Sequence, residues 1–289
     1  MRLCSVRYEG GEDVGIATDA GIVMLSSLNK VVGGSFGPTL LDVIESEELD
    51  GITVALRDRA VLDTAIAADL TPPFAPIYRH PPKLWGVGLN YARHAADLEV
   101  RQPADTPGSY LRPSSCVVGH GDDIVLPRQS DRVTAEAELG VVIARDCKDI
   151  SPRDAPSVIF GFTTVLDMTA EDAIRVNPRY IPWAKGFDTF CSLGPWVVTP
   201  DEISDLSSVR ISTVVNGRTI ASNQVSAMMR DPYWQVAHFS GGMTLEAGSV
   251  IATGTPGAGV IRDGDVVEAI VEGVGHLRNT VRATAGGRT

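Results

Sequence analysis

Residues 135–143 read Ala-Glu-Ala-Glu-Leu-Gly-Val-Val-Ile. Apolar and polar residues alternate in the first half and then give way to a continuous apolar run, which predicts a strand entering a buried sheet. Side chains two positions apart on a strand point to the same face, so Glu136 and Glu138 lie side by side. Two adjacent carboxylates repel each other and are unfavourable to desolvate, and a divalent cation between them would remove both penalties.

A second apolar run, residues 158–166, leads directly into Asp167. Its carboxylate could supply a third oxygen ligand. Hard cations such as Mg²⁺ take carboxylate oxygens and waters and leave positions for a substrate. The alternative is that Glu136 and Glu138 form the solvated face of an edge strand, which is common for a Glu-x-Glu pattern. The spacing alone leaves both interpretations open.

Several short motifs follow one another in a specific order from about residue 83 to the C-terminus. Together with the Glu-x-Glu pattern, this ordered set resembles the fumarylacetoacetate hydrolase family. The motifs are Gly86-Val87-Gly88-Leu89-Asn90-Tyr91-Ala92-Arg93-His94-Ala95, Arg112-Pro113-Ser114-Ser115, Asp167-x-Thr169-Ala170-x-Asp172, Lys185-Gly186-Phe187-Asp188-Thr189-Phe190, Leu193-Gly194-Pro195-Trp196, Val215-Asn216-Gly217 and Thr253-Gly254-Thr255-Pro256-x-x-Gly259.

The resemblance implies an α+β fold, namely a mixed β-roll of the fumarylacetoacetate hydrolase C-terminal type with a small N-terminal α+β domain, and a homodimer. A proline-rich segment, residues 71–76, predicts the boundary between an N-terminal domain, 1–75, and a catalytic domain, 76–289. Local patterns further predict strands, helices and one hairpin. These are strands at 3–8, 14–17, 21–25 and 84–89, helices at 39–46, 54–68 and 233–240, and a hairpin turn at Asn216-Gly217.

A short helix is predicted after Asn90, the expected N-cap, and it puts His94 and Asp97 on one face. A carboxylate beside an imidazole fixes its tautomer and raises its basicity, which suits a general base that activates water. The resemblance implies a His–Glu dyad at this position, on a segment that closes over the site. This sequence carries Asp97 where Glu is usual. The alternative is a surface His near a surface Asp.

Four further residues belong to the predicted site. The resemblance implies that Lys185, oriented by Asp188, holds a substrate carboxylate or stabilises an enolate oxygen. Arg112 either binds a distal acidic group of the substrate or pairs with an internal carboxylate. The resemblance implies that Tyr91 and Thr255 bind substrate. Thr255 lies in a Gly-rich turn whose backbone N–H groups suit a carboxylate.

The composition of the 289 residues is 44% hydrophobic and 21% charged, which is typical of a globular protein. A formal net charge of −11 argues against nucleic acid or an anionic membrane as a partner. The four cysteines lack CxxC spacing and predict free thiols in a reducing compartment. No signal-peptide pattern or membrane-spanning apolar run is present in the sequence, so a cytoplasmic location is expected.

The predicted reaction is hydrolysis of a carbon–carbon bond in a small 2-oxo acid, such as an acylpyruvate or a related 1,3-dicarbonyl acid. Glu136, Glu138 and Asp167 would hold Mg²⁺, with Mn²⁺ or Ca²⁺ as alternatives. His94 would activate water, and Lys185 and the metal would stabilise the resulting enolate. Isomerases and decarboxylases need the same stabilisation without the water, and a non-catalytic metabolite-binding protein is the further alternative.

Overall fold

The computed structural model describes residues 1–67 and 72–284. Strands dominate, and they form one sheet of twelve strands and one of five. The predicted α+β class is confirmed. The strands are β1 (Arg2–Tyr8), β2 (Gly11–Thr18), β3 (Gly21–Met24), β4 (Ile66–Ala67), β5 (Leu84–Gly88), β6 (Gly108–Leu111), β7 (Val117–Val118), β8 (Asp123–Leu126), β9 (Val133–Ile143), β10 (Ile159–Ala170), β11 (Cys191–Val198), β12 (Arg210–Val215), β13 (Arg218–Gln224), β14 (Val250–Ala252), β15 (Ala258–Ile261), β16 (Val266–Val271) and β17 (Gly275–Ala283).

The helices are short, and none within the described residues is long and apolar enough to cross a membrane. They are α1 (Leu25–Val32), α2 (Leu40–Glu45), α3 (Leu49–Leu56), α4 (Arg59–Ala65), α5 (Ala92–Asp97), α6 (Glu171–Val176), α7 (Ile181–Lys185) and α8 (Pro232–Gly242). Single 3₁₀ turns occur at Ser114–Cys116, Ala155–Val158, Pro178–Tyr180, Pro200–Glu202, Leu206–Ser208 and Val225–Ala227.

The large sheet runs in the order β4-β3-β2-β1-β11-β10-β9-β14-β5-β6, and β15 and β7 also pair with β9 and β11. Every residue of β9 and β10 is buried. This burial on both faces explains the continuous apolar runs of the two segments. The predicted strand entering a buried sheet is therefore confirmed, and its glutamates lie in the interior of the protein.

The N-terminal strands extend the same sheet. Strand β1 pairs with β11, and β2 and β3 follow outward from it. The strands predicted at 3–8, 14–17 and 21–25 are confirmed, as is the helix at 39–46. Because the sheet is continuous from one region to the other, the domain boundary at residue 75 stays a prediction.

The helix predicted at 54–68 is wrong as a single element. Two helices, α3 and α4, stand in its place, and α3 begins five residues earlier. The break falls at Asp58, whose carboxylate accepts a hydrogen bond from the Ala60 N–H at 2.9 Å. Such a local bond satisfies a free N–H at a helix start and competes with continuation of the preceding helix. Residue 68 lies outside the described residues.

The five-stranded sheet has the order β13-β12-β16-β17-β8 and supports β9 from one side. Its β12–β13 hairpin turns at Asn216 (φ +51°) and Gly217 (φ +73°), as predicted. Thr213 of β12 accepts a hydrogen bond from the Ala137 N–H at 3.0 Å and donates one to the Gly257 carbonyl at 2.9 Å. The buried threonine thus joins β9 to the turn that precedes β15.

Candidate metal centre

The register of β9 and β10 brings three carboxylates together. Asp167 lies directly opposite Glu136, and Val165 lies opposite Glu138. Opposite residues on neighbouring strands share a face, and Glu138 follows Glu136 by two positions on that face. One oxygen from each carboxylate lies within 4.8 Å of the others. We call Glu136, Glu138 and Asp167 the carboxylate cluster.

Burial of the carboxylate cluster excludes the solvated-edge alternative. The three residues are 7%, 1% and 0% exposed in chain order. Burial raises the pKa of Glu138 well above its ordinary value, and the negative charge of Asp167 raises it further. Acidic groups held this close without solvent require compensating positive charge.

Lys185 supplies part of that charge. Its Nζ donates to Asp167 Oδ1 at 2.8 Å and to Glu136 Oε2 at 3.1 Å. Burial alone would lower the pKa of Lys185, but the carboxylates of Asp167 and Glu136 outweigh burial and raise that pKa. The side chain is therefore an ammonium. Asp188, expected to orient it, is exposed, and the two carboxylates are the hydrogen-bond partners of Lys185 in the described residues.

Arg112 supplies the second positive charge. Its buried guanidinium forms an ion pair with Asp167 and donates to the main-chain carbonyls of Lys185 and Phe190. Burial would raise the pKa of Asp167, but Arg112 and Lys185 outweigh burial and hold that pKa below its usual value. Of the two alternatives for Arg112, the structure thus has the second, pairing with an internal carboxylate. Contact of Arg112 with substrate stays a prediction.

Tyr110 is a site residue that the sequence analysis missed. Its hydroxyl donates to Asp167 Oδ2. Its ring lies 5.2 Å from Lys185 Nζ and 5.4 Å from Arg112 Cζ, measured from the ring centroid. Tyr110 pairs with Gly86 across β5 and β6, and a Cβ built on Gly86 would lie 2.2 Å from the ring. The ring therefore fills the space that glycine leaves.

The segment before Tyr110, residues 99–109, is polar and contains Pro103 and Pro107, a composition typical of a loop and not of a strand. In the structure, β6 begins within that segment, at Gly108, and pairs with β5. The available signal was a glycine at position 86 in a predicted strand, because glycine in a strand often marks a close approach of another group.

The strand beside β9 is interrupted next to Glu138. Strand β14 pairs with residues 140–142 and β15 with residues 133–136, and a turn, residues 253–257, lies between them. The Gly254 N–H in this turn donates to Glu138 Oε2 at 2.8 Å. Gly254 has φ +100°, a conformation that strongly favours glycine. The turn thus presents a backbone donor to the cluster.

Asn90 anchors this turn and is not the predicted N-cap. Its Nδ2 donates to the carbonyls of Thr253 and Arg230, each at 2.9 Å, and its Oδ1 accepts from the Arg230 N–H at 2.9 Å. Tyr91 stands at the N-cap of α5 and makes no side-chain capping bond. The expectation was wrong because the asparagine amide is taken by long-range main-chain groups.

The two other predicted substrate-binding residues are buried beside the same turn and cluster. The Thr255 hydroxyl donates to the Gly257 carbonyl at 3.1 Å, so it currently stabilises its own turn. Burial raises the pKa of Tyr91, and the charge of Glu138 contributes. The Tyr91 hydroxyl has no hydrogen-bond partner within residues 1–67 and 72–284. Contact of either residue with substrate stays a prediction.

The predicted His94–Asp97 dyad is not assembled. His94 is buried, and its Nδ1 lacks a hydrogen-bond partner in the described part of the chain. Asp97 is exposed at the end of α5, and its Oδ2 lies 3.7 Å from the position of a Cβ built on Gly257. The two residues belong to one short helix, but one is buried and the other is turned toward solvent.

The sequence profile of the fumarylacetoacetate (FAA) hydrolase C-terminal domain matches residues 83–282. The chain belongs to the fumarylacetoacetate hydrolase family. The resemblance drawn from the sequence motifs is confirmed. A relative in this family is the mitochondrial oxaloacetate tautomerase FAHD2A of Homo sapiens, which is 33% identical over 294 residues, 97% of this chain and 91% of the relative.

Solved structures in the family share the fold. The maleylpyruvate hydrolase from Sphingobium sp. SYK-6, in complex with manganese(II) and pyruvate, has a TM-score of 0.80 at 28% identity, covering 98% of this chain and 99% of that one. The 5-carboxymethyl-2-hydroxymuconate delta-isomerase from Mycobacterium smegmatis has a TM-score of 0.73 at 31% identity, with the same coverage. Enzymes of this fold therefore include hydrolases, isomerases and tautomerases.

The carboxylate cluster fits a divalent metal of the kind found in that hydrolase structure. Its donors are three carboxylates, which hard divalent cations prefer. With all three acids ionised, they face one guanidinium, Arg112, and one ammonium, Lys185, which leaves one net negative charge. A divalent cation would reverse that sign and make the site attractive to an anionic substrate.

Proposed function

We propose that this protein is a divalent-metal-dependent enzyme that converts a small 2-oxo acid between its keto and enol forms. One observation carries the proposal: the carboxylate cluster and a charged Lys185 share one buried site, whereas His94 and Asp97 are not joined. The groups proposed to stabilise an enolate lie together, but His94 and Asp97, the residues expected to activate water, do not. The likeness to the human oxaloacetate tautomerase over nearly the whole chain supports the same reaction class.

Residues of the carboxylate cluster would hold the cation, and the cation would polarise the 2-oxo group so that the adjacent carbon becomes acidic. Lys185 stays protonated beside Asp167 and Glu136, so it can donate to an enolate oxygen but cannot act as a base. A fixed ammonium in a buried site stabilises charge that develops on that oxygen. Lys185 is thus the proposed electrostatic catalyst.

His94 is the proposed proton carrier. In the neutral tautomer with hydrogen on Nε2, its buried and unpartnered Nδ1 is free to accept a proton. The helix that carries it starts beside Asn90, which holds the turn next to Glu138. A proton would leave the carbon beside the 2-oxo group for Nδ1, and the resulting imidazolium would return a proton to the enolate oxygen, so that His94 ends neutral. No water is consumed, and the mass of the substrate is unchanged.

Hydrolysis of a carbon–carbon bond is the second candidate. The likeness to the maleylpyruvate hydrolase, whose structure holds manganese(II) and pyruvate, favours it. The reaction would require Asp97 to turn from solvent toward His94 and orient it for attack by water. The Asp97 carboxylate lies beside Gly257, and Gly257 belongs to the turn that borders the carboxylate cluster. The movement of Asp97 toward His94 would therefore be local.

Product analysis distinguishes these reactions. Oxaloacetate and a panel of acylpyruvates would be incubated with the full chain and Mg²⁺ or Mn²⁺, with chelator-treated protein as the control. The proposal predicts metal-dependent acceleration of the keto–enol equilibrium, seen in enol absorbance, with no change of mass. Release of an acid plus pyruvate would instead indicate a hydrolase, and release of carbon dioxide would indicate a decarboxylase. No turnover of any compound would favour a metabolite-binding protein.

Three further properties complete the proposal. Mg²⁺ is the proposed resident cation, with Mn²⁺ and Ca²⁺ as the alternatives, because the donors are all hard oxygens. The homodimer rests on the family resemblance and is tested by light scattering of the full chain. The cytoplasmic location is proposed from the sequence and is tested by cell fractionation, since the human relative is named a mitochondrial protein.

A further inference from the structure

A surface cleft with a volume of about 600 Å³ lies away from the carboxylate cluster. Residues of β1, β11, the segment 72–74 and the start of β17 line it, and Trp196 of β11 forms one wall. The same strand carries Cys191, which lies opposite Asp167 of the cluster. Five residues of a strand span roughly 17 Å, so the cleft and the cluster are separate sites. We call it the Arg2 cleft, after a residue that lines it.

The walls of the Arg2 cleft are largely aromatic. The Phe74 ring packs edge-to-face against Trp196, with 5.2 Å between the ring centroids, and against His120, with 5.6 Å. Prolines add further apolar surface. Burial lowers the pKa of His120 below its ordinary value of 6.5, so its imidazole is mainly neutral at pH 7. A planar aromatic ligand can pack against such rings edge-to-face or in an offset stack.

The Arg2 cleft is positively charged, although Asp and Glu outnumber Lys and Arg by 36 to 25 in the whole chain. None of the described residues that line it is acidic, and two of them are arginines, Arg2 and Arg7. Asp122 accepts two hydrogen bonds of 2.7 Å from Arg7 and balances its charge. Glu268 lies 3.6 Å from His276 and would balance that imidazole when it is protonated. Arg2 has no such carboxylate partner in the described part of the chain.

One contact fixes the Arg2 guanidinium and leaves most of its donors available. A guanidinium carries five N–H donors. Nη2 of Arg2 donates to the Gly273 carbonyl at 2.7 Å, two residues before Gly275, which lines the cleft. No other hydrogen bond of this side chain occurs among residues 1–67 and 72–284. The remaining N–H groups belong to a planar fork that matches a carboxylate through two hydrogen bonds.

Apolar walls with a few placed polar groups, in a volume of roughly 300–1,000 Å³, are typical of small-molecule sites. We propose that the Arg2 cleft is a second ligand site, which binds a small aromatic carboxylate. The ring packs against Phe74, Trp196 and His120, and the carboxylate pairs with the Arg2 guanidinium. The cleft contains no residue of the carboxylate cluster, so the inference does not depend on the proposed function.

The test is calorimetric titration of the full chain with benzoate, in the presence and absence of Mg²⁺. Acetate carries the charge without the ring, and benzyl alcohol carries the ring without the charge. We expect each of these two compounds to bind at least about tenfold more weakly than benzoate, because each lacks one of the two interactions. Mg²⁺ should change the benzoate affinity by less than about threefold, because separate sites act independently.

Arg2→Met removes the charge and keeps an extended side chain. We expect this variant to bind benzoate about tenfold or more weakly, because a charge-assisted hydrogen-bonded pair is lost, and to bind benzyl alcohol as the wild type does. Arg145→Met is the matched control. Nη2 of Arg145 also donates to one main-chain carbonyl, that of Ser157, at 2.7 Å, but Arg145 does not line the cleft. Arg145→Met should leave the benzoate affinity unchanged.

Three calorimetric results would overturn the inference. They are no benzoate binding by the wild type, equal benzoate affinity in Arg2→Met and wild type, and benzoate binding only when Mg²⁺ is present, which would assign benzoate to the carboxylate cluster.

A crystal structure of the wild-type protein with benzoate does not depend on the folding of a variant. A benzoate ring against Phe74 and Trp196, with its carboxylate on Arg2, supports the inference. Benzoate bound only elsewhere, or an empty cleft at saturating benzoate, would refute it.

Discussion

Lys185 and Arg112 both contact Asp167, yet their surroundings give them different roles. Arg112 is fixed by main-chain carbonyls of Lys185 and Phe190 in addition to Asp167. Within the described residues, the hydrogen bonds of Lys185 Nζ go to two carboxylates, those of Asp167 and Glu136. Arg112 is therefore assigned a structural role. The ammonium of Lys185 instead faces the carboxylates that would hold a metal and, through it, the substrate.

Replacing Lys185 by methionine separates metal binding from turnover. Lys185→Met removes the ammonium and keeps much of the side-chain length. We expect the affinity for Mg²⁺ to be equal or higher, because a neighbouring positive charge is lost. We expect kcat/KM to fall by about 100-fold or more, as is typical when one preorganised donor to developing negative charge is removed. Calorimetric titration and initial rates measure the two effects.

The control for this substitution is Lys148→Met. The Lys148 ammonium is partly exposed and donates to the main-chain carbonyls of Ser240 and Gly241. Lys148→Met should leave both the turnover rate and the metal affinity near the wild-type values. Turnover of Lys185→Met within about threefold of wild type would contradict the role given to Lys185.

At the scale of elements, the interrupted strand beside β9 shapes the site. The turn at residues 253–257 replaces strand pairing next to Glu138 and offers it the Gly254 N–H. Asn90 holds this turn to the segment around Arg230 through three hydrogen bonds. The Gln235 amide donates to the same two carbonyls, so two buried amides position the backbone donor.

Asn90→Ala should destabilise the protein and loosen the turn. The substitution leaves the Thr253 carbonyl and the main-chain groups of Arg230 with fewer buried partners, and each such loss costs about 1–3 kcal/mol. We expect a decrease of about 2–4 kcal/mol in the free energy of unfolding, measured by urea denaturation.

Asn223→Ala is the corresponding control, because within residues 1–67 and 72–284 the Asn223 side chain accepts only from the N–H of its neighbour Gln224. It should change the free energy of unfolding by less than about 1 kcal/mol. A similar small effect for Asn90→Ala would argue that the turn is held by other contacts.

The alternation of residues 135–139 was sufficient to predict that Glu136 and Glu138 share a face, because strand side chains repeat every two residues. It could not place Asp167, because the register between β9 and β10 depends on pairing across 31 positions of sequence, from 136 to 167. Tyr110 escaped for the same reason, since its contact with Asp167 requires the packing of β6 against residues far along the chain.

For the whole molecule, the motif order identified the family, and the family supplied the fold that local patterns alone could not assemble. The strands β1–β3 were predicted correctly, but their addition to the large sheet through β11 was not. Edge pairing of this kind depends on which sheet edge is available in three dimensions. Short segments such as 54–68 were misjudged where a single side chain, Asp58, starts a new helix.

The stability of the metal-free protein should depend on pH through Glu138. Its pKa in the folded state is raised above the ordinary value of 4.5, first by burial and then by Asp167. Its contribution to stability is therefore complete below pH 4.5 and is lost as the pH rises through the folded-state pKa. The metal-free Glu138→Gln variant does not lose stability in this way as the pH rises, because glutamine does not ionise.

We expect the stability of Glu138→Gln relative to wild type to increase from about pH 5 to pH 8, by at most about 1.4 kcal/mol per pH unit. Saturating Mg²⁺ should reverse the ranking, because only the wild type retains all three ligands. Urea denaturation across this pH range measures both effects, with the exposed Glu272→Gln as control. A pH-independent difference between Glu138→Gln and wild type would contradict the expectation.

The claim that the carboxylate cluster holds a divalent cation is tested most directly by anomalous diffraction from crystals grown with Mn²⁺. The account predicts one strong anomalous peak bonded to an oxygen of each of Glu136, Glu138 and Asp167, at about 2.0–2.6 Å. A cluster without a peak at saturating Mn²⁺, with Lys185 still bridging Asp167 and Glu136 and Arg112 still paired with Asp167, would contradict it.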